Sequence, residues 1–360
     1  MVPAKERWDL GGQDMQALLS SASAMKGESL WQDARRRLRR NPTAWWSLIF
    51  LIAFGLLSLS APLLPLPSPV ALDLQTEPMP PIAPWTEFGN QNYTREYWEL
   101  STLDNAAVDL RVAIFDDWQT GSWMGRDSKG RDILSRIVWG SRTSIIVALI
   151  ATLCSLAIGV TYGAFSGLSG GRIDNLMMRI VDVLYSVPFI FVVIFLITIV
   201  NEYRTELEDN WGIGRETVFY LVIGAIYWLT MARVVRGQVL SLKNSEFIEA
   251  ARVLGASTAR ILFVHLVPNV LSIVIVYLTL TIPAVMLFEA FLSFLGLGIE
   301  PPKVSWGLLA VDGTEAINPL RIFWWLVVFP AAAMGSVLLA LNILGDGLRD
   351  ALDPKLRGKD

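Results

Sequence analysis

The chain has 360 residues, 53% of them hydrophobic, and a mean hydropathy of +0.46. That is too apolar for a soluble domain and fits a protein that crosses a membrane several times. A formal net charge of −3 says nothing useful about partners, and the single cysteine, Cys154, and single histidine, His265, exclude a disulfide framework and a multi-histidine metal site.

Residues 1–44 form a polar segment with no apolar run, so no cleavable signal peptide is expected. The segment ends in Arg35, Arg36, Arg37, Arg39 and Arg40. A first span is predicted over Trp45–Leu64 (45–64), closed by the proline-rich APLLPLPSP because proline cannot continue a helix. Residues 65–143 form a long region before the next span. Between Pro65 and Gly125 it holds nine acids against Arg95 and Arg111. Trp85, Tyr93, Tyr97, Trp98, Trp118 and Trp123 argue for an ordered, irregular cap with short helices.

Residues 144–350 hold five further apolar windows, each near the ~20 residues a membrane-spanning helix needs. They cover Ser144–Leu168, Met178–Val200, Thr217–Val234, Val270–Leu295 and Ile322–Leu344. Pro188, Pro283 and Pro330 fall inside spans, where neighbouring helices can re-satisfy the freed backbone. Residues 351–360 form a short tail. With six spans, the N-terminal arginines, Arg172, Arg179, Arg233, Arg236, Lys243, Arg252, Arg260 and the basic tail all fall on one side. The acid-rich 65–143 region falls on the other. Both termini are therefore expected in the cytoplasm, and the cap outside.

Between the fourth and fifth spans, at about 235–269, the chain reads EFIEAARVLGASTARILFVHLVPN from Glu246 to Asn269. Asn244 or Ser245 can cap a helix whose first turn carries Glu246 and Glu249 near the positive end of its dipole. Phe247, Ala251 and Leu254 recur at helical spacing and are predicted to form one face. Gly255 suits a C-terminal cap, and Ser257 or Thr258 a second helix start. The expected product is a two-helix elbow, kept slim by Ala250, Ala251 and Ala256. His265 reads as a packing or docking residue. Just before the second span lies GRDSKGRDILSRIVWGSRTSI, Gly125–Ile145, where paired Arg and Asp side chains can tie the cap to the span through charge-assisted hydrogen bonds.

Glu249-Ala250-Ala251, three residues, Gly255, then twelve residues to Pro268 resembles the EAA loop of ABC importer membrane subunits. The resemblance implies an ATPase-coupling role for Glu249, Ala250, Ala251, Gly255, Ala256, Ser257 and Pro268. His265 and Val267 depart from the Ile and Leu common before that proline. Gly130, Arg131, Asp132, Ser135 and Arg136 match the GRDxxSR stretch of dipeptide and oligopeptide permeases, with Arg126 where threonine is usual. FEAFLSFLGLGIEPPKVSWG (Phe288–Gly307) and GDGLRDALDPKLR (Gly345–Arg357) resemble the end of the C-type peptide permeases.

On these motifs, spread over about Ser29–Arg357, the chain is identified as a member of the oligopeptide/dipeptide permease family. The resemblance implies an all-α, six-helix type I ABC importer permease fold in a bacterial inner membrane. It also implies a paralogous B-type permease, two ATP-binding subunits of D and F type and an external peptide-binding protein as partners, with no nucleic acid. No GxxxxGK[ST] stretch and no nucleophile–base pair occurs, so no enzyme activity and no cofactor is expected in this chain. ATP and Mg would sit on the partner ATPases. Dipeptides, nickel chelates or oligosaccharides are the alternative cargoes. An autonomous ion-coupled transporter is the alternative mechanism, resting on the intramembrane acids Asp182 and Glu289. Two isolated acids do not form a relay, and structural roles are expected for them.

Overall fold

The computed structural model describes residues 30–72, 78, 80–81, 100–116, 118–211, 215–317 and 320–352. Trp85, Tyr93, Tyr97 and Trp98 of the expected cap lie outside them. Among the described residues every regular element is helical. In chain order they are α1 (Leu30–Arg40), α2 (Pro42–Leu59), α3 (Thr102–Phe115), α4 (Ile133–Ser169), α5 (Gly171–Ser186), α6 (Phe189–Glu202), α7 (Arg204–Trp211), α8 (Arg215–Leu242), α9 (Glu246–Val253), α10 (Thr258–Phe294), α11 (Trp306–Glu315) and α12 (Trp324–Leu352). The helices α2, α4, α8, α10 and α12 are long and apolar enough to cross a membrane; α5 and α6 make a sixth crossing if taken together.

The hydropathy windows find each span but misplace its ends. The helix α2 starts at Pro42, where Asn41 accepts a hydrogen bond from the Ala44 amide (3.2 Å), and a 3-10 turn at Ala61–Leu63 follows it. The helix α4 begins eleven residues before the predicted Ser144. Asp132 caps it by accepting from the Ser135 amide (2.7 Å), and its charged first turns are buried by protein. Likewise α8 continues past Val234 to Leu242, because its arginines find carboxylates on α5. The third predicted span is not one straight helix. Val187 is extended (φ −79°, ψ 126°), as expected for a residue before proline, and the chain bends by 83° between α5 and α6.

The helices α4 and α8 form the central pair. Gly159, Gly163 and Gly167 follow one another at four-residue spacing along α4. A Cβ on Gly163 would run into the Ala232 carbonyl, and one on Gly167 would come within 3.0 Å of the Arg236 carbonyl. Gly224 of α8 returns the fit against Cys154. Small residues let two helix backbones approach in a membrane, where packing rather than hydrophobicity drives association. One apolar core joins α4, α6, α8, α10, α11 and α12 around Val147, Ile223, Met286, Trp306 and Leu326. A second joins α4, α8 and α10 to the elbow through Val160, Val235, Ile248, Leu266 and Val270. The ends of the chain meet: α1 and α2 pack on α12, where Gly347 lies against Ala44 and Leu38.

Candidate functional site

Two sites predicted from sequence sit on different parts of the helical body. At the elbow, Ser245 occupies the N-cap of α9, but its hydroxyl donates back to the Leu242 carbonyl (2.6 Å) instead of capping the helix. Gly255 has φ +78°, a left-handed conformation that favours glycine. Its amide donates to the Arg252 carbonyl (2.9 Å), and the Ala256 amide donates to the Ala251 carbonyl (3.0 Å). This doubled closure satisfies the last carbonyls of α9 and reverses the chain. Ser257 then caps the next helix, accepting from the Arg260 amide (3.3 Å).

The elbow's inward face differs from the predicted one. Ile248 and Ala251 are buried, whereas Phe247 and Leu254 face outward. The helix is so short that Ile248 is its one member of the second core, with the half-buried Ala256 packed against that core just beyond it. Glu249, Ala250, Gly255, Ser257 and Pro268 are exposed, and Ala256 is half-buried. Val253 and Leu254, at the tip, are each 87% exposed. Ahead of Pro268 the helix widens into a π turn over Ile261–Leu266, with the Val267 amide donating to the Leu262 carbonyl. Proline has no N–H to offer and its ring crowds the preceding turn, so the wider turn carries the helix past it.

The second site brings together motifs that are far apart in sequence. Gly130 (φ +76°) turns the chain so that Asp127 accepts from the Lys129 and Arg131 amides, both at 2.9 Å. The Asp127 carboxylate also receives Arg131 Nε (2.7 Å) and Arg136 (2.9 Å). Both guanidiniums continue to Asp312 of α11, Arg131 at 3.0 Å and Arg136 at 2.6 Å. Ser135 donates to the Pro67 carbonyl (2.6 Å), and Trp325 Nε1 to the Arg126 carbonyl (3.1 Å). Arg126 itself donates through Nε to Ser122 (2.8 Å). Buried charges demand such pairing. Asp132 is buried too, and burial pushes its carboxyl up to about 6, against the downward pull of the Ser135 amide, Ser122 and Arg126.

One layer deeper, Glu289 of α10 is buried under three hydroxyl donors: Ser144 (3.0 Å), Ser293 (3.0 Å) and Ser305 (2.7 Å). The Trp306 amide donates to Ser144 (3.2 Å). The Phe288–Gly307 and Gly125–Ile145 motifs therefore build one junction of α4, α10, α11 and α12. Sequence reasoning singled out Glu289 but missed its serines, of which Ser293 lies one turn along the same helix while Ser144 and Ser305 are remote in sequence, and missed Asp312 as the partner of Arg131 and Arg136.

Asp182, placed beside Arg179 in sequence, pairs instead with Arg233 of α8 (2.7 Å). Asp174 was missed. It holds Arg236 through two bonds (2.6 and 2.7 Å) and accepts from Ser166 (2.6 Å). Among the described residues no group of three or more His, Cys, Asp or Glu side chains is placed to hold a metal ion.

Known proteins resemble this chain along most of its length. Residues 159–358 match the family model of the binding-protein-dependent transport system inner membrane component. Residues 29–93 match that of the N-terminal TM domain of oligopeptide transport permease C. The oligopeptide transport system permease protein OppC of Haemophilus influenzae is 40% identical over 333 residues, covering 92% of this chain and 91% of that one. OppC of Escherichia coli is 41% identical, covering 92% and 94%. The dipeptide transport system permease protein DppC of Bacillus subtilis is 39% identical over 338 residues, covering 93% and 90%. The chain thus belongs to the family of inner membrane components of binding-protein-dependent transport systems, the permease subunits of ABC importers.

Proposed function

We propose that this permease subunit passes oligopeptides across the inner membrane and is driven through the elbow between α8 and α10. The exposed tip of that elbow carries the reading. Val253 and Leu254 stand almost fully in the open at a corner fixed by Gly255, with no part of the described chain over them. Two large aliphatic side chains on a rigid corner fit a groove on a partner. The exposed Glu249, Ala250, Gly255 and Ser257 surround them, and Ile248 and the half-buried Ala256 root the elbow in the core beside α4, α8 and α10. A push on the tip therefore reaches three membrane helices without passing through a flexible linker.

The partner is an ATPase subunit that binds ATP and Mg. This chain binds neither and catalyses nothing. The full importer has a B-type permease, D- and F-type ATPases and an external peptide-binding protein. Both termini and the elbow lie in the cytoplasm, and the Asp127–Arg136–Asp312 junction lies outside. Closure of the ATPase pair moves the elbow, and the elbow shifts the balance between inward- and outward-open states because it docks differently in each. Dipeptides are the second cargo, favoured by the identity with DppC. An ion-coupled mechanism finds little support in the intramembrane acids, since Glu289 is filled by three hydroxyls and Asp182 is held by Arg233.

The test is ATP-driven peptide uptake by the assembled complex carrying Gly255→Pro or Glu249→Lys. Both variants should insert normally, yet lose uptake and release ATPase during purification. Normal uptake in both would remove the coupling role.

A further inference from the structure

Two ion pairs join α5 to α8, and they differ in kind. Asp174 is closed: Arg236 and Ser166 fill both its carboxylate oxygens. Asp182–Arg233 is open. Its side chains are 65% and 40% exposed, although Arg233 lies in a helix long and apolar enough to cross the membrane and Asp182 in α5, which makes a crossing together with α6. Among the described residues, Asp182 accepts one hydrogen bond and Arg233 donates one, to each other. A guanidinium has five N–H donors, so most of its capacity is unspent. Charges with unspent capacity cannot face lipid, and in a dry interface they would carry a large desolvation cost. They require water or a polar ligand.

The neighbouring backbone makes the same demand. The helix α5 stops at Ser186, two residues before Pro188, and the chain turns by 83°. Pro188 has no N–H to offer the Leu184 carbonyl. Residues 182 to 188 are exposed one after another, so the broken end has no cover from this chain. Interrupted helices at membrane depth occur where they are buried in protein or line a cavity. The open end of α5 is the negative end of its dipole, and there the Ser186 hydroxyl donates to the Val183 carbonyl (2.7 Å). Tyr185 holds Arg233 in place, with the guanidinium 4.4 Å from the ring centre.

We propose that Asp182, Tyr185, Arg233 and the open end of α5 form a polar station on the wall of the permeation path. It takes the charged termini of a passing peptide. The ammonium meets Asp182 and the α5 carbonyls, and the carboxylate meets Arg233. Each contact exchanges for one already present between Asp182 and Arg233, so the peptide is held weakly enough to leave. The station rests on the oligopeptide permease reading.

The test uses the complete importer in nanodiscs, with Cys154→Ser removing the native thiol. Tyr185→Cys is treated with a charged, membrane-impermeant methanethiosulfonate, with and without ATP. Leu56→Cys on α2, also exposed, serves for comparison. Tyr185→Cys should react at least about 10-fold faster than Leu56→Cys in one nucleotide state, and trialanine should slow the reaction. The difference reads access, because a thiol reacts as its water-exposed thiolate. The double variant Asp182→Asn/Arg233→Gln should lower trialanine uptake by about 10-fold, which corresponds to the loss of one charge-assisted contact or more. No reaction at Tyr185→Cys in either state would make this face a dry subunit interface and overturn the station. Undiminished uptake by the double variant would also overturn it. Loss of ATPase from the parent Cys154→Ser complex would count against the importer reading, whatever the labelling shows.

Discussion

At the scale of single residues, the charges at the head of α4 show what a motif can tell and what it cannot. The GRDxxSR spacing marks Arg131, Asp132, Ser135 and Arg136, and their residue types announce charge-assisted bonds. The partners are not in the motif. Asp312 lies on α11 and the Pro67 carbonyl lies after α2, and only the packed molecule brings them together. Asp132 is the member whose state depends on pH. Its folded-state pKa of about 6 lies above the ordinary carboxyl value of 3.8. The stability it lends is full below about pH 4 and is lost as pH rises through 6, by up to about 3 kcal/mol. Asp132→Asn keeps an acceptor for the Ser135 amide and cannot ionise. The variant's unfolding midpoint should exceed the parent's by more at pH 7.5 than at pH 4.5. Equal differences at both values would place the Asp132 pKa in the ordinary range.

At the scale of elements, all the hydropathy windows correspond to helices, but their ends follow other physics. A window closes at the first cluster of charges. A helix continues through charges if protein pairs them, as at Arg136 in α4 and Arg233 and Arg236 in α8. The break at Pro188 was present in the sequence as a proline. Pro283 and Pro330 were equally visible and lie inside unbroken helices. Residue type alone did not separate the three. The glycine stripe on α4 was legible as a four-residue repeat, though its partner helix was not. It yields a matched pair of substitutions. Gly163→Ala drives a Cβ into the Ala232 carbonyl, whereas Gly237 on α8 has nothing within 4 Å. Gly163→Ala should lower stability by about 1–3 kcal/mol through overpacking. Gly237→Ala should raise it by about 0.5–1 kcal/mol by favouring the helix. Thermal unfolding of the two purified variants reads both signs.

At the scale of the whole molecule, composition was enough to establish a helical membrane body, and the motif order was enough to point to the family. The orientation of the elbow's faces was not legible, because a helix of eight residues has too few turns for periodicity to choose between Ile248 and Phe247. The assembly of the body follows from another feature, the meeting of α1 and α2 with α12 around Ala44 and Gly347. A ribosome delivers α2 before α4, α8 and α10, and α12 after them. Until α12 emerges, then, α2 waits in the bilayer with its intended neighbour not yet made. The helix α12 is then the clasp that joins the early helices to the later ones. A subunit still without α12 carries an open seam that membrane proteases can recognise. A chain ending after Glu315 should insert its earlier spans and then disappear within a pulse-chase, while the full chain persists.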